Sequence, residues 1–303
     1  MKKTSHLAIY SVSEWQKEYI KERLPEAEFP EELRGDYEII SVFVSDKIDL
    51  TKFPNLKFIA ARSTGFDHID LKECDKRNII VANVPDYGRN TVAEFAFALL
   101  LALSRKVFES YEVVQTTGKF IRDGLTGFDL KGKTLGVIGT GSIGSRVIEI
   151  GRGLGMEILG CDPNKNLNIK YLELESLLAQ SDVITIHVPY NEKTHHLLNK
   201  KNIKRIKKGA YLINTSRGGI IEQKYLVKAL EKEQLAGAGL DVLEDEENLL
   251  KNKYSKKLIS LPQVIVTPHN AFNTKEALIR ILDTTVENIK GFKNGKIINR
   301  VNS

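Results

Sequence analysis

The sequence predicts an α/β protein made of two doubly wound domains, each a parallel sheet with helices on both faces. Short apolar runs alternate with helical stretches over the first hundred residues, and a second alternating series begins at Thr134. Strands separated by helices run parallel and are buried on both faces. A chain of 303 residues is long enough to form two such cores.

The first series contains four apolar runs that we interpret as buried strands. They are Leu7–Tyr10, Ile39–Val44, Leu56–Ala61 and Ile79–Ala82. An apolar helix from Asn90 to about Val107 follows, long enough to link two domains. Residues 111–133 then show little periodicity and several glycines. This pattern predicts a long loop, which is usually functional or used in assembly.

The second series contains six predicted strands, followed by an amphipathic helix over Leu278–Gly291 and a tail. The strands are Thr134–Ile138, Glu157–Cys161, Val183–Ile186, Ala210–Asn214, Ala236–Asp241 and Val264–Thr267. Six strands that alternate with helices are typical of a dinucleotide-binding sheet.

The formal charge of +6 raises the question of a nucleic-acid partner. The densest basic cluster spans residues 200–208, where Ile203 and Ile206 form one narrow apolar stripe. Aromatic residues do not interleave with these charges, as a base-stacking platform would require. We therefore predict a solvated helix face and no nucleic-acid partner.

The cysteine count and the hydropathy pattern indicate a cytoplasmic protein. Cys74 and Cys161 form no CxxC pair, which argues against a disulfide scaffold or a structural zinc site. The longest apolar run, Phe95–Leu103, is about half of the ~20 residues that a membrane span needs. We therefore predict no membrane segment. We also predict no metal site, because the sequence contains no HExxH motif and no cysteine pair.

A glycine-rich turn lies between the first strand and the first helix of the second series. Gly139 permits a tight turn, Gly141 lets the backbone approach a pyrophosphate, and Gly144 lets helix and strand pack closely. Ser142 and Ile143 complete the helix N-terminus, whose N–H groups favour phosphate. Asp162 ends the next strand, where a carboxylate accepts ribose hydroxyls and disfavours a 2′-phosphate. The pattern predicts NAD, although the nearby Lys165 leaves strict exclusion of NADP open.

Three further segments lie at strand ends, where ligands bind in open α/β sheets. They are Ile213–Gly219, Gly239–Glu246 and Val266–Phe272, and they carry an arginine, an acidic cluster and a histidine. Reduction of a carbonyl beside a carboxylate needs these groups. A guanidinium holds the carboxylate, an imidazolium donates a proton, and a side-chain carboxylate keeps the imidazole charged.

Taken together, these motifs resemble the D-isomer-specific 2-hydroxyacid dehydrogenases over nearly the whole sequence. Further motifs that carry the resemblance are Arg62–Asp70, Asn83–Tyr87 and Asn90–Glu94. The resemblance implies a Rossmann NAD-binding domain, residues 102–272, inserted into a flavodoxin-like substrate domain. The substrate domain would comprise residues 1–101 and the C-terminal return 273–303.

The resemblance also implies roles for individual residues. Arg217 is the expected substrate clamp, His269 the acid/base, and Glu246 its partner, with the other acidic residues of that run as a solvated loop. Expected cofactor contacts are His187, Val188, Pro189, Thr194, Thr215, Ser216 and Asp241. The backbone at Ser63, Thr64 and Gly65 is expected to hold the substrate carboxylate. Phe43, Tyr87 and Phe272 are expected to line the pocket, or else to be ordinary core.

The substrate expected from the resemblance is a small 2-keto acid, with pyruvate reduced to D-lactate. An apolar pocket made by Phe43 and Phe272 suits a methyl group better than a phosphate. A larger alkyl 2-keto acid, hydroxypyruvate or glyoxylate is the alternative substrate. An NADH-sensing scaffold similar to the C-terminal-binding-protein corepressors is a different class of function. The resemblance further implies a homodimer, with the nucleotide-binding domains and residues 111–133 at the interface.

Overall fold

A computed structural model describes residues 7–303, which divide into two compact units. The terminal unit combines the chain up to Tyr87 with Thr274–Ser303, and the inserted unit is Gly88–Asn273. The first boundary thus precedes the helix at residues 89–104, whereas the boundary predicted from the sequence follows residue 101. The reason is that this helix packs its apolar side chains into the core of the inserted unit.

The terminal unit contains a four-stranded parallel sheet in the spatial order β1-β2-β3-β4. Its strands are β1 (Leu7–Ile9), β2 (Ile39–Val42), β3 (Phe58–Ala61) and β4 (Ile80–Ala82). A parallel bridge between Ala8 and Glu28 adds a fifth position on the far side of β1. Counted along the chain, the order becomes 2-1-3-4-5, which is the flavodoxin-like order that was predicted.

Three helices cover this sheet: α1 (Glu14–Lys21), α2 (Leu71–Lys76) and α9 (Lys275–Lys293). The Thr274 side chain caps α9 by accepting a hydrogen bond from the N–H of Ala277. The ring of Phe292 on α9 stacks on that of Phe58 on β3, with centroids 4.5 Å apart. The tail then returns to β4, where the N–H of Val301 donates to the Val81 carbonyl at 2.9 Å.

The inserted unit contains a seven-stranded parallel sheet in the order β11-β10-β9-β8-β5-β6-β7. Counted from its first strand this is 3-2-1-4-5-6 with one further strand, the Rossmann order. The order reverses between β5 and β8, so their carboxyl ends form the topological switch point. The strands are β5 (Thr134–Ile138), β6 (Glu157–Cys161), β7 (Lys170–Tyr171), β8 (Val183–Ile186), β9 (Ala210–Asn214), β10 (Leu235–Leu240) and β11 (Val264–Val266).

The helices of the inserted unit are α3 (Arg89–Ser104), α4 (Val107–Thr117), α5 (Ser142–Gly153), α6 (Leu174–Gln180), α7 (Gln223–Glu231) and α8 (Lys253–Ser260). The apolar helix α3 contacts α5, β9 and β10. Its close approach to β10 needs a glycine, because a Cβ on Gly239 would lie 2.9 Å from the Leu99 Cβ. Among residues 7–303, no helix is long and apolar enough to cross a membrane.

Two local expectations were wrong. Residues 111–117 belong to α4, which ends at Gly118 in the left-handed conformation (φ +64°). The basic segment 200–208 forms only a 3-10 turn at Ile203–Arg205, with Ile203 and Ile206 buried. There the Asn202 amide donates to the Leu197 carbonyl, and this side-chain bond competes with a helical ladder.

Candidate active site

The glycine-rich turn connects β5 to α5 and leaves no room for a side chain at two of its three glycines. Gly139 has φ +89°, and a Cβ there would lie 2.6 Å from the His187 carbonyl oxygen. A Cβ on Gly144 would lie 2.0 Å from the Gly139 oxygen. A Cβ on Gly141, by contrast, would meet nothing within 4 Å. The backbone is therefore open to a ligand at Gly141 and close-packed at the other two glycines.

The two ends of this turn carry groups that suit a dinucleotide. The N-cap residue of α5 is Gly141, which has no side chain, so the helix N–H groups and dipole can bind a pyrophosphate. Asp162, directly after β6, accepts hydrogen bonds from the N–H groups of Thr140 (2.7 Å) and Asn164 (2.8 Å). These bonds fix the carboxylate beside the turn, with lone pairs remaining for ribose hydroxyls. The residues present fit NAD.

His187 follows β8 and faces the same turn at the switch point. Its N–H donates to the Ile138 carbonyl at 2.7 Å, and its Nε2 lies 2.8 Å from the Thr185 hydroxyl. Burial of the ring lowers the pKa of His187 to about 3, so the imidazole is neutral at physiological pH. A neutral, fixed imidazole here holds the turn rather than exchanging protons.

The expected cofactor contacts after His187 form one compact turn. The Val188 side chain packs against Gly139, and its carbonyl accepts a hydrogen bond from the Ser216 hydroxyl. The Thr194 hydroxyl donates to the Pro189 carbonyl at 2.6 Å and thereby closes the turn. These side chains are therefore occupied in shaping the segment.

Arg217 lies on the loop that follows β9. The Asn214 side chain organises this loop, because its Nδ2 donates to the Arg217 carbonyl and its Oδ1 accepts from the Ser216 N–H, both at 3.0 Å. The half-buried guanidinium donates to the Ser216 carbonyl at 2.9 Å. The neighbouring Thr215 hydroxyl is buried and has no hydrogen-bond partner within residues 7–303.

Asp241 follows β10 and binds the loop that carries His269. Its carboxylate accepts hydrogen bonds from the Thr267 hydroxyl at 2.5 Å and from the N–H groups of Asn270 and Ala271, both at 2.8 Å. Asp241 is only 1% exposed, and burial raises its pKa although these donors oppose the shift. In this structure Asp241 anchors a loop. The cofactor contact expected of Asp241 stays a prediction.

His269 and Glu246 are brought together, as the candidate acid/base and its partner. The Nδ1 of His269 lies 3.0 Å from the Glu246 Oε2, which leaves Nε2 as the atom available to a substrate. His269 has φ +52°, and its N–H donates to the Asp241 carbonyl at 2.8 Å. The Phe272 ring lies edge-on to the imidazole, with centroids 6.4 Å apart.

In the terminal unit, the expected carboxylate cradle lies directly after β3 and is tied to the end of β4. The Thr64 hydroxyl donates to the Val84 carbonyl at 2.9 Å, and the Asn83 amide donates to the Thr64 carbonyl at 2.8 Å. The Ser63 hydroxyl donates to the Gly65 carbonyl at 2.6 Å. Within residues 7–303, the backbone N–H groups of Thr64 and Gly65 donate no hydrogen bond.

Phe43 and Tyr87 lie after β2 and β4, the two strands on either side of β3. Phe43 is half-buried, and its N–H donates to the Asp46 carboxylate at 2.6 Å. The Arg62 guanidinium lies 5.7 Å from the Phe43 ring centroid. The Tyr87 carbonyl accepts a hydrogen bond from Arg280 Nε at 2.9 Å.

Each unit therefore collects its candidate residues at the carboxyl ends of its own strands. The terminal unit holds those after β2, β3 and β4, and the inserted unit holds those after β5, β6, β8, β9, β10 and β11. Sequence reasoning assigned no role to Arg62, which is 2% exposed, or to the pair His196 and Glu244. Spacing gives no signal for that pair, because 48 residues separate its members.

Comparisons with known proteins agree with this architecture. A family model described as "D-isomer specific 2-hydroxyacid dehydrogenase, NAD binding domain" matches residues 97–271. A glyoxylate reductase of Korarchaeum cryptofilum is 37% identical, covering 86% of this chain and 81% of the relative. The D-lactate dehydrogenase of Escherichia coli is 32% identical over 96% of this chain and 97% of the relative.

Among solved structures, a D-lactate dehydrogenase from Aquifex aeolicus complexed with NAD and lactic acid superposes with a TM-score of 0.88. It is 37% identical and covers 96% of both chains. Fold, site and comparisons together define an NAD-dependent oxidoreductase that acts on the CH–OH group of 2-hydroxy acids. The chain belongs to the D-isomer-specific 2-hydroxyacid dehydrogenase family.

Proposed function

We propose that this chain reduces pyruvate to D-lactate with NADH. The observation that carries the proposal is the edge-on contact between Phe272 and His269. It gives the candidate acid/base an aromatic neighbour, which can contact a methyl group. A substrate hydroxyl against this ring would lose hydrogen bonds to water without replacement. The D-lactate dehydrogenases among the relatives and solved structures support the same substrate.

The chemistry assigned to the chain is proton transfer. Bound NADH supplies the hydride that adds to the C2 carbonyl carbon of the keto acid. His269 donates the proton from Nε2 to the carbonyl oxygen, so that the product hydroxyl forms. Glu246 accepts a hydrogen bond from the Nδ1–H of His269 and thereby fixes the orientation of the imidazole ring during proton transfer.

We assign orientation of the substrate to Arg217. A planar guanidinium can bind a carboxylate through two parallel hydrogen bonds, which fixes the direction of the adjacent carbonyl. The N–H groups of Thr64 and Gly65 are our second candidate donors for a carboxylate. Replacement of Arg217 by Lys should raise the KM for pyruvate and lower kcat together, because charge remains but the planar fork is lost.

The test is a panel of 2-keto acids assayed with NADH at the nicotinamide absorbance. It contains pyruvate, 2-ketobutyrate, 2-ketoisocaproate, hydroxypyruvate and glyoxylate. We expect kcat/KM to be highest for pyruvate, by about tenfold or more over hydroxypyruvate, since a misplaced polar group costs about 1–3 kcal/mol. If kcat/KM is higher for glyoxylate or hydroxypyruvate than for pyruvate, that acid is the substrate and the proposal of pyruvate is wrong. No turnover despite NADH binding would refute the proposed reaction.

We also propose that the protein is a homodimer that associates through α4 and the segment after it. Helix α4 has no buried residue in the single chain, although it contains Phe108, Tyr111 and Val114. Tyr111 is 64% exposed and Phe120 is 98% exposed. Several exposed large apolar side chains on one helix and the segment after it favour an interface there. Light scattering should give the mass of a dimer for the wild type and of a monomer for Tyr111→Lys/Phe120→Lys.

The cytoplasm is the proposed location. Cys74 and Cys161 are both free thiols in the structure, which suits a reducing compartment. Cell fractionation should recover the protein with cytoplasmic markers, and recovery with secreted proteins would contradict the assignment.

A further inference from the structure

His196 lies between the loop that carries Arg217 and the loop that carries Glu246. Its N–H donates to the Gly219 carbonyl at 2.9 Å, two residues beyond Arg217. Its Nε2 lies 2.5 Å from the Glu244 Oε1, two residues before Glu246. Both side chains are about one-third exposed, at 31% and 30%. A single residue therefore contacts both loops.

The same two loops also touch directly, backbone against backbone. A Cβ on Gly218 would lie 2.0 Å from the Leu243 carbonyl carbon and 2.4 Å from the Glu244 nitrogen. A contact this close fixes the spacing of the loops only while something prevents them from separating. The His196–Glu244 pair lies beside this contact and can provide that restraint.

Both members of the pair are themselves anchored. His196 has φ +48°, and the Asn199 amide donates to its carbonyl at 2.9 Å, while the His195 ring stacks on it at 3.9 Å. The Glu244 carbonyl accepts hydrogen bonds from the Gln223 amide on α7 (3.5 Å) and the Ser255 hydroxyl on α8 (3.4 Å). A non-glycine residue with positive φ costs free energy and is retained where its surroundings hold it.

We propose that His196 and Glu244 are positioning residues that hold Arg217 and Glu246 at a fixed spacing. Neither is assigned contact with the substrate. Their effect is to keep the substrate-orienting guanidinium and the His269–Glu246 pair in one geometry. The inference rests on the proposed reduction of a 2-keto acid, because Arg217 and Glu246 take their roles from it.

The test compares His196→Asn, Glu244→Ala and the double variant. Asparagine tolerates positive φ as histidine does, so His196→Asn removes the contact to Glu244 without adding backbone strain. We expect each single variant to lower kcat/KM for pyruvate about tenfold and the double variant also about tenfold, because the two side chains act through one contact. The Kd for NADH, measured by fluorescence, should change by less than about twofold.

Two controls separate positioning from general destabilisation. Glu244→Gln keeps an acceptor oxygen for the imidazole N–H and should retain kcat/KM within about threefold of wild type. Lys257→Ala removes another ion pair of the inserted unit, with Glu231 at 3.2 Å, and should leave kcat/KM unchanged. An additive loss of about a hundredfold in the double variant would overturn the proposal. Equal losses in Glu244→Gln and Glu244→Ala would overturn it as well.

Hydrogen exchange keeps this proposal separate from the proposed reaction. If the wild type reduces no 2-keto acid, the proposed function fails, but the loop restraint can still be measured. His196→Asn should speed amide exchange at residues 215–219 and also at residues 243–247. Faster exchange at only one of these segments, or at neither, would show that the pair does not hold the two loops together.

Discussion

The substitution Asp241→Asn separates two roles for this carboxylate, loop anchor and cofactor contact. In the structure one oxygen serves the Thr267 hydroxyl and the Asn270 N–H, and the other serves the Ala271 N–H. An amide has only one acceptor oxygen. Whichever way it is turned, its NH₂ group faces a buried backbone N–H of Asn270 or Ala271, which is left unpaired.

The magnitude follows from that single unpaired donor. An unsatisfied buried N–H costs about 1–3 kcal/mol. The unpaired N–H lies in the loop that carries His269. We expect this loop to shift so that the N–H can reach water, which moves His269 away from its working position. The expected loss in kcat/KM for pyruvate is about 5- to 150-fold, since 1.4 kcal/mol corresponds to about tenfold. The Kd for NADH should stay within about twofold of wild type.

The assay pairs steady-state kinetics with NADH binding by fluorescence. Thr267→Val is the matched control, because it removes only one of the three donors and leaves both backbone bonds to Asp241 intact. It should lower kcat/KM by less than about tenfold. If Asp241→Asn weakens NADH binding as much as it lowers kcat/KM, Asp241 is a cofactor contact and the loop-anchor reasoning is refuted.

Three further predictions concern the cofactor side of the inserted unit. The folded-state pKa of His187 is lowered from 6.5 to about 3, so its contribution to stability is complete above about pH 6.5 and is lost as the pH falls. When the pH is lowered from above 6.5 to about 5.5, the free energy of unfolding in urea should fall by about 1.4 kcal/mol more for the wild type than for His187→Gln. Gly144→Ala should weaken NADH binding more than about tenfold in fluorescence titration, because the Gly139 carbonyl must move away from the new methyl group. Asp162→Ala should raise the affinity ratio of NADPH to NADH at least about tenfold in the same titration, because it removes the charge that repels a 2′-phosphate.

Each of these predictions has its own control. Equal pH dependence of unfolding in the wild type and His187→Gln would contradict burial of a neutral imidazole. Gly153→Ala, at the other end of α5, is the control for Gly144→Ala, because its Cβ would meet nothing within 4 Å. It should leave NADH binding unchanged. An unaltered ratio of NADPH to NADH affinity in Asp162→Ala would show that another group excludes the phosphate.

The strands and the cofactor turn could be predicted from sequence because local pattern determines both. Buried parallel strands such as β3 are continuous apolar runs, and Gly139 and Gly144 after β5 occupy positions where neighbouring backbone leaves no room for a side chain. The helix α4 was missed because its apolar residues face no core within the single chain, so no buried periodicity marks it. The basic segment was predicted as helical because propensity does not register the Asn202 bond to the Leu197 carbonyl.

In the candidate site, residue types could be predicted but not the contacts that restrain them. The sequence places Asp241 and His269 at the ends of neighbouring strands, but three donors converge on Asp241 only after the loop has folded. The pair formed by His196 and Glu244 depends on two loops that meet in space, and no spacing along the chain encodes it.

The terminal unit is assembled from both ends of the chain, which constrains the order of events during synthesis. β3 lacks the ring of Phe292, and β4 lacks its bridge from Ala82 to Arg300, until residues 274–303 have left the ribosome. The inserted unit, residues 88–273, emerges earlier and contains its own sheet and core. The nascent chain can therefore complete its cofactor-binding half while the edge of the other sheet is still unpaired, and an unpaired strand edge is prone to aggregation.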